Sequence, residues 1–314
     1  MLFMVNNLDA QKGTIPPISH HFFVEITEQN KAYVLKAGQF ELQQNGHFKK
    51  HFLADTETDW DKFWTVFHNA YKTRAVENKA DVMFYIHGYW SGSLFQLDKN
   101  LRYSDDFYIH NRDSPIALTL TVIWHRYYMP YKYTRDLCKS RAEAFAPCFW
   151  ASILKTRTLL GEQTLNGKTH LLCHSMGNYF LEKMLPLKPT TDEPLFQEFV
   201  MAAADVQDDF YEKQSAVMAA LSHRTLALNN LKDRSLTISK WLNRQSRLGK
   251  HPPQYFNNKY ASIYATEVSS VQDVKDFIGY INQHQHHHLS NRVGHYLRGV
   301  FRGEKTVAVL RKGY

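Results

Sequence analysis

The chain has 314 residues, a formal charge of +8 and 44% hydrophobic residues, enough for one large α/β domain with a sizeable core. No run of apolar residues approaches membrane-spanning length, and the N-terminus lacks the basic start and apolar core of a signal peptide. Three cysteines without metal-type spacing point to free thiols in a reducing compartment, so a cytoplasmic location is expected.

Residues 20–53 alternate in short apolar runs separated by polar turns, which predicts two or three antiparallel strands. Trp60, Phe63, Trp64, Phe67 and Tyr71 recur at helical spacing and predict an amphipathic helix with an aromatic core face. Asp81–Ile86 reads as a buried strand running into His87-Gly88-Tyr89. A His-Gly pair there can bring backbone close to a substrate carbonyl, so His87 and Gly88 are read as an oxyanion loop and the Tyr89 N–H as a donor. Residues 91–113 read as a long polar and aromatic connection suited to a lid or pocket wall. Ile116–Trp124 is the next strand, followed by a tyrosine-rich loop at 127–133 and a helix over Arg135–Leu160.

Thr169 to Leu185 carries the most specific signal. The apolar run Leu171-Leu172-Cys173 predicts a strand end, and Tyr179, Phe180, Met184 and Leu185 fall at helical spacing. Between them Ser175 has small residues two positions away on either side, Cys173 and Gly177. That layout predicts a nucleophile elbow, in which a sharp strand-to-helix turn exposes the serine. The Met176 N–H, directly after the serine, is the second expected oxyanion donor. His174, the serine's neighbour, is expected to pack.

A serine needs a histidine base and a carboxylate to orient it, and in this arrangement they follow in the order Ser, acid, His. A strand over Phe199–Ala204 ends at Asp205, a helix spans 210–221, and the strand Arg224–Asn229 leads to Asp233. Asp233, after the second strand beyond the elbow, is the expected acid, with Asp205 as the alternative. The last strand is read at Tyr260–Thr266, and His295, behind Gly294, is the expected base. The tract His286-His287-His288 is read as a solvated loop, and no metal or other cofactor is expected. Strands alternating with helices from residue 80 onward predict one mostly parallel sheet covered on both faces. The N-terminal strands and helix of residues 1–80 would pack on the same single domain as the core of 80–314.

Phe84-Tyr85-Ile86-His87-Gly88-Tyr89, Trp124 with Tyr133 and Asp136, Leu171–Asn178, Ala203-Ala204-Asp205-Val206, the run ending at Asp233, Arg247-Leu248-Gly249 and Gly294-His295 form an ordered series. It resembles a bacterial family of uncharacterised α/β hydrolases with a His-Ser-Met-Gly elbow, over about residues 80–300. The resemblance implies an α/β-hydrolase fold with Ser175 as nucleophile, Asp233 as acid and His295 as base. Cys173 departs from the family's usual alanine or glycine, and Trp124-His125-Arg126 departs from its Trp-Pro-Ser-like pattern. The expected activity is hydrolysis of an ester or related acyl bond in a small-molecule or lipid substrate. The rival readings are a lipase or acyltransferase using the same triad and a non-catalytic interaction protein on the same scaffold. Basic residues gather late (Lys232, Arg234, Lys240, Arg244, Arg247, Lys250, Arg292, Arg298, Arg302, Lys305), suiting an anionic partner or a solvated face. No nucleic-acid motif accompanies them.

Overall fold

The computed structural model describes residues 19–55, 59–75, 79–89, 94–124, 130–161, 167–250, 263–267, 284 and 290–304. Nine strands form one sheet in the order β3-β2-β1-β5-β4-β6-β7-β8-β9. The strands are β1 (His21–Gln29), β2 (Ala32–Leu42), β3 (Phe48–Ala54), β4 (Asp81–Ile86) and β5 (Ile116–Ile123), then β6 (Thr169–His174), β7 (Phe196–Ala202), β8 (Ser222–Asn229) and β9 (Ile263–Glu267). The first three make an antiparallel meander, as expected, and β1 then joins the main sheet by pairing parallel with β5. From β1 through β9 every pairing across the sheet is parallel.

Successive side chains on a strand face opposite sides, and the central strands use that period to feed two cores. Val82, Phe84, Ile86, Leu171, Cys173, Phe199 and Met201 point to one face and pack with helices α1 (Trp60–Ala75), α3 (Tyr131–Gly161) and α4 (Met176–Met184). Met83, Tyr85, Leu172, Val200 and Ala202 point to the other and meet the C-terminal helix of Asn291–Phe301. Each large apolar side chain buried in this way contributes about 1.5–3 kcal/mol relative to exposure. The aromatic helix predicted from Trp60 onward is α1, and Phe63, Phe67 and Tyr71 are buried in it.

One expectation changes here. Within residues 91–113, which read as a long polar and aromatic connection, the chain forms helix α2 (Leu94–Ser104) and a π-helical turn (Asp105–Ile109). Leu97, Leu101, Tyr108 and Ile109 are buried in the core, so the described part of this stretch covers the sheet. Its polar residues misled because several are themselves buried, among them Asp98 and Asn100. Helices α5 (Phe210–Leu221) and α6 (Arg234–Asn243) follow β7 and β8, and α7 (Asn291–Phe301) closes the described chain. All of β4, β6, β7 and β8 point their carboxyl ends the same way, so their following loops share one edge of the sheet.

Candidate active site

At the carboxyl end of β6 the chain turns abruptly at Ser175, whose φ of 52° and ψ of −124° are sparsely populated for any residue with a side chain. The turn is clamped on both sides. The Ser175 N–H donates to Ala202 O at 2.9 Å, and its carbonyl accepts from the Asn178 N–H and the Asp205 N–H, each at 3.1 Å. Asn178 Nδ2 adds bonds to Cys173 O at 3.1 Å and Ser175 O at 3.2 Å. Helix α4 starts at Met176, so the N–H groups of Met176 and Gly177 come before any intrahelical acceptor, and its positive dipole end lies beside Ser175.

The glycines flanking this turn answer to space. A Cβ on Gly177 would stand 2.4 Å from Ile86 O, and one on Gly88 would stand 2.7 Å from Ser175 Cβ. The backbone leaving β4 therefore passes directly against the serine. His87 is buried, its Nδ1 bonds Gly88 O at 2.7 Å, and its ring stacks on Trp124. Trp124 Nε1 donates to His87 O at 2.8 Å, and its ring also stacks on Phe180 of α4. This column fixes the loop that ends in Tyr89, whose half-buried ring meets Tyr131 edge-on. Cys173 is fully buried and packs in the core, and burial pushes its thiol well above the ordinary range, which leaves it a small hydrophobe instead of a second nucleophile.

Asp233 is fully buried at the start of α6 and serves two neighbours with its two oxygens. Oδ1 caps the helix by accepting the Leu236 N–H at 2.9 Å, and Oδ2 lies 2.6 Å from His284 Nδ1. The other ring nitrogen, Nε2, lies 2.7 Å from Ser175 Oγ. With Nδ1–H donating to the carboxylate, Nε2 is left to accept the serine proton. Burial alone would lower the pKa of His284, but the charge and hydrogen bond of Asp233, with a further contribution from Asp205, outweigh it and raise the value.

The histidine brought to the serine is thus His284, and the expectation of His295 is corrected. Val293, Tyr296, Leu297, Val300 and Phe301 are buried at helical spacing, so α7 lies with that face on the core. His295 falls on the outer face, exposed, with Nδ1 3.4 Å from Arg298 Nη2. The glycine before it answers to packing, since a Cβ on Gly294 would press on the Phe107 ring at 3.0 Å. The apolar spacing from Val293 to Phe301 was the signal that could have excluded His295. Nothing in the composition around His284 singled it out from the neighbouring His286–His288, which lie outside the described residues. His174, expected to pack, also donates from Nε2 to His284 O at 3.0 Å and sets its ring 4.9 Å from that of His284. It thereby holds the main chain that carries the base.

Asp205, the alternative acid, is engaged elsewhere. Its Oδ2 accepts from the Tyr131 hydroxyl at 2.6 Å, and its Oδ1 accepts from Ser239 Oγ at 2.5 Å and lies 3.3 Å from Arg247 Nε. Arg247 is fully buried, and Arg298 is buried too, so the late basic residues do not form one continuous solvated face. The proton of Tyr131 is held tightly, its pKa pushed up to about 12 by burial and by Asp205. Through its backbone N–H, Asp205 also braces the Ser175 carbonyl. Among the described residues one group of metal-type donors, His20, Asp105 and His110, lies within 4.8 Å of one another. It sits beside the amino ends of β1 and β5, away from Ser175.

Residues 68–294 match the family described as alpha/beta hydrolase of unknown function (DUF900). The match covers well over half of the chain, and the chain belongs to that family. No curated protein matches it.

Proposed function

We propose that this α/β hydrolase is a serine hydrolase that cleaves a carboxylic ester or related acyl bond, with Ser175 as nucleophile, His284 as base and Asp233 as orienting acid. The observation that carries the reading is the single imidazole that contacts Ser175 Oγ at 2.7 Å and Asp233 Oδ2 at 2.6 Å. Ser175 Oγ attacks the carbonyl carbon as His284 Nε2 takes the hydroxyl proton. The resulting oxyanion is stabilised by the N–H of Met176, at the free end of α4, and by the N–H of Tyr89. When the tetrahedral intermediate collapses, the bond to the alcohol oxygen breaks and His284 returns its proton to the leaving group. Water then attacks the acyl-enzyme with His284 again as base, freeing the acid and restoring Ser175. Asp233 holds Nδ1–H throughout and stabilises the imidazolium that forms.

The test is labelling with a fluorophosphonate followed by mass mapping of the adduct. Modification at Ser175, abolished in His284→Gln and retained in His295→Ala, is the expected result. A folded protein that labels equally well after His284→Gln would overturn the assignment.

A further inference from the structure

Helix α6 is capped by Asp233, which contacts His284. Its inner face is anchored by the buried Leu236 and Ser239. Its outer face is unusual for a protein surface. Trp241 is 78% exposed, Ile238 60% and Leu242 48%, and Leu231 in the turn just before the helix is 43% exposed. Ile238, Trp241 and Leu242 stand at i, i+3 and i+4, so they share one side of the helix. Large apolar side chains grouped in this way mark an interaction surface, whereas singly scattered ones do not.

The charges around the group are of one sign. Lys232, Arg234, Lys240 and Arg244 are all exposed on the same short segment. The only acid between residues 231 and 250 is Asp233, which is buried. An aromatic and aliphatic stripe on a segment whose exposed charges are all lysine and arginine is the chemistry of a helix that lies in a membrane interface, its apolar side chains among the acyl chains and its cations among anionic headgroups. A protein partner would equally cover the apolar stripe, but exposed cations with no exposed acid between residues 231 and 250 favour an anionic surface. Among the described residues no helix is long and apolar enough to cross a membrane, so the contact is peripheral.

We propose that the outer face of α6 docks this protein on anionic phospholipid, and that the esters reaching Ser175 are those presented at that surface. The substrate half of this rests on the proposed hydrolase reading; the docking half does not. From Asp233 to Trp241 the helix spans about 12 Å, so a bilayer seated on the stripe would lie within a lipid's length of the serine.

Flotation of the full-length protein with phosphatidylcholine vesicles, with and without phosphatidylglycerol, tests it. Binding should require the anionic lipid and weaken as salt is added. The paired change Lys240→Gln with Arg244→Gln should weaken it by about thirtyfold, from roughly 1 kcal/mol per basic side chain at an anionic surface. Ile238→Ser with Trp241→Ala should reduce it at least as much, and their exposure makes either pair compatible with folding. The Ser175→Ala protein should float as the parent does. Labelling at Ser175 without flotation would overturn the docking and leave the hydrolase; flotation without labelling would do the reverse. Flotation that ignores all four substitutions would also overturn the proposal. So would a stable dimer in solution that Trp241→Ala dissolves, because the stripe would then belong to a second copy.

Discussion

Among the described residues two Asp–His–hydroxyl arrays lie at opposite ends of the same sheet. At the carboxyl ends of the strands, Asp233, His284 and Ser175 are linked at 2.6 and 2.7 Å. At the amino ends, Asp105, His21 and Thr119 are linked at 2.7 and 2.6 Å. Hydrogen-bond lengths do not separate them; the backbone under each hydroxyl does. Thr119 lies within β5, paired with His21 on one side and Met83 on the other, and its own N–H is committed to His20 O at 2.9 Å. Beside Ser175 the strand has ended, a helix has just begun, and its first two amides, of Met176 and Gly177, come before any intrahelical acceptor. A proton relay is common polar architecture. What marks a nucleophile is the sharp turn that presents it and the donors waiting for the charge it creates.

The largest expected effect is at the serine. Ser175→Ala should remove about six orders of magnitude from kcat on an activated ester, read by product release with burst-free kinetics. Thr119→Val should leave that rate unchanged, and a loss there would dissolve the distinction drawn between the two arrays. Asp233→Asn should lower kcat by roughly four orders of magnitude while keeping the helix cap, because the amide oxygen still accepts the Leu236 N–H. Circular dichroism should show an unchanged fold in that variant.

The pH profile sharpens the same contrast. Because Asp233 raises the pKa of His284 and the base must be neutral, activity should fall as pH drops through that raised value. The residual activity of Asp233→Asn should show its acid limb at lower pH. The same interaction contributes stability below the ordinary histidine pKa and loses it as pH rises through the raised one, so His284→Gln should cost more stability in acid than in alkali.

At the amino end the predicted cost is in folding. Thr119→Val leaves the buried His21 Nδ1 without its hydroxyl and should destabilise by about 1–3 kcal/mol, measured by denaturant unfolding. The smallest effect belongs to His295→Ala, exposed on α7, which should change stability by less than about 0.5 kcal/mol and leave hydrolysis intact.

Most of the sheet was legible because central strands are continuous apolar runs: Asp81–Ile86 emerged with the bounds the sequence suggested, as did the helix over 210–221. The turn at Ser175 after β6 and the place of Asp233 after β8 were legible as well, the first from its small flanking residues. His284 was not. The proposed base is held by contacts with distant residues, Asp233 at a separation of 51 and His174 at 110, and local pattern carries neither. The helix over residues 94–104 was missed for a related reason, since its buried Asp98 accepts from Phe48 N on a distant strand and reads as solvent-facing until that partner is known.

The backbone at Ser175 has a cost that the fold carries permanently. A residue with a side chain held at φ 52° and ψ −124° is destabilised by about 1–3 kcal/mol, and glycine would relieve most of it. Ser175→Gly should therefore melt at a higher temperature than the parent protein. Unfolding resistance and reactivity then pull against each other at one position, and any lineage or laboratory screen that rewards heat tolerance alone would tend to discard the residue the site is built to present.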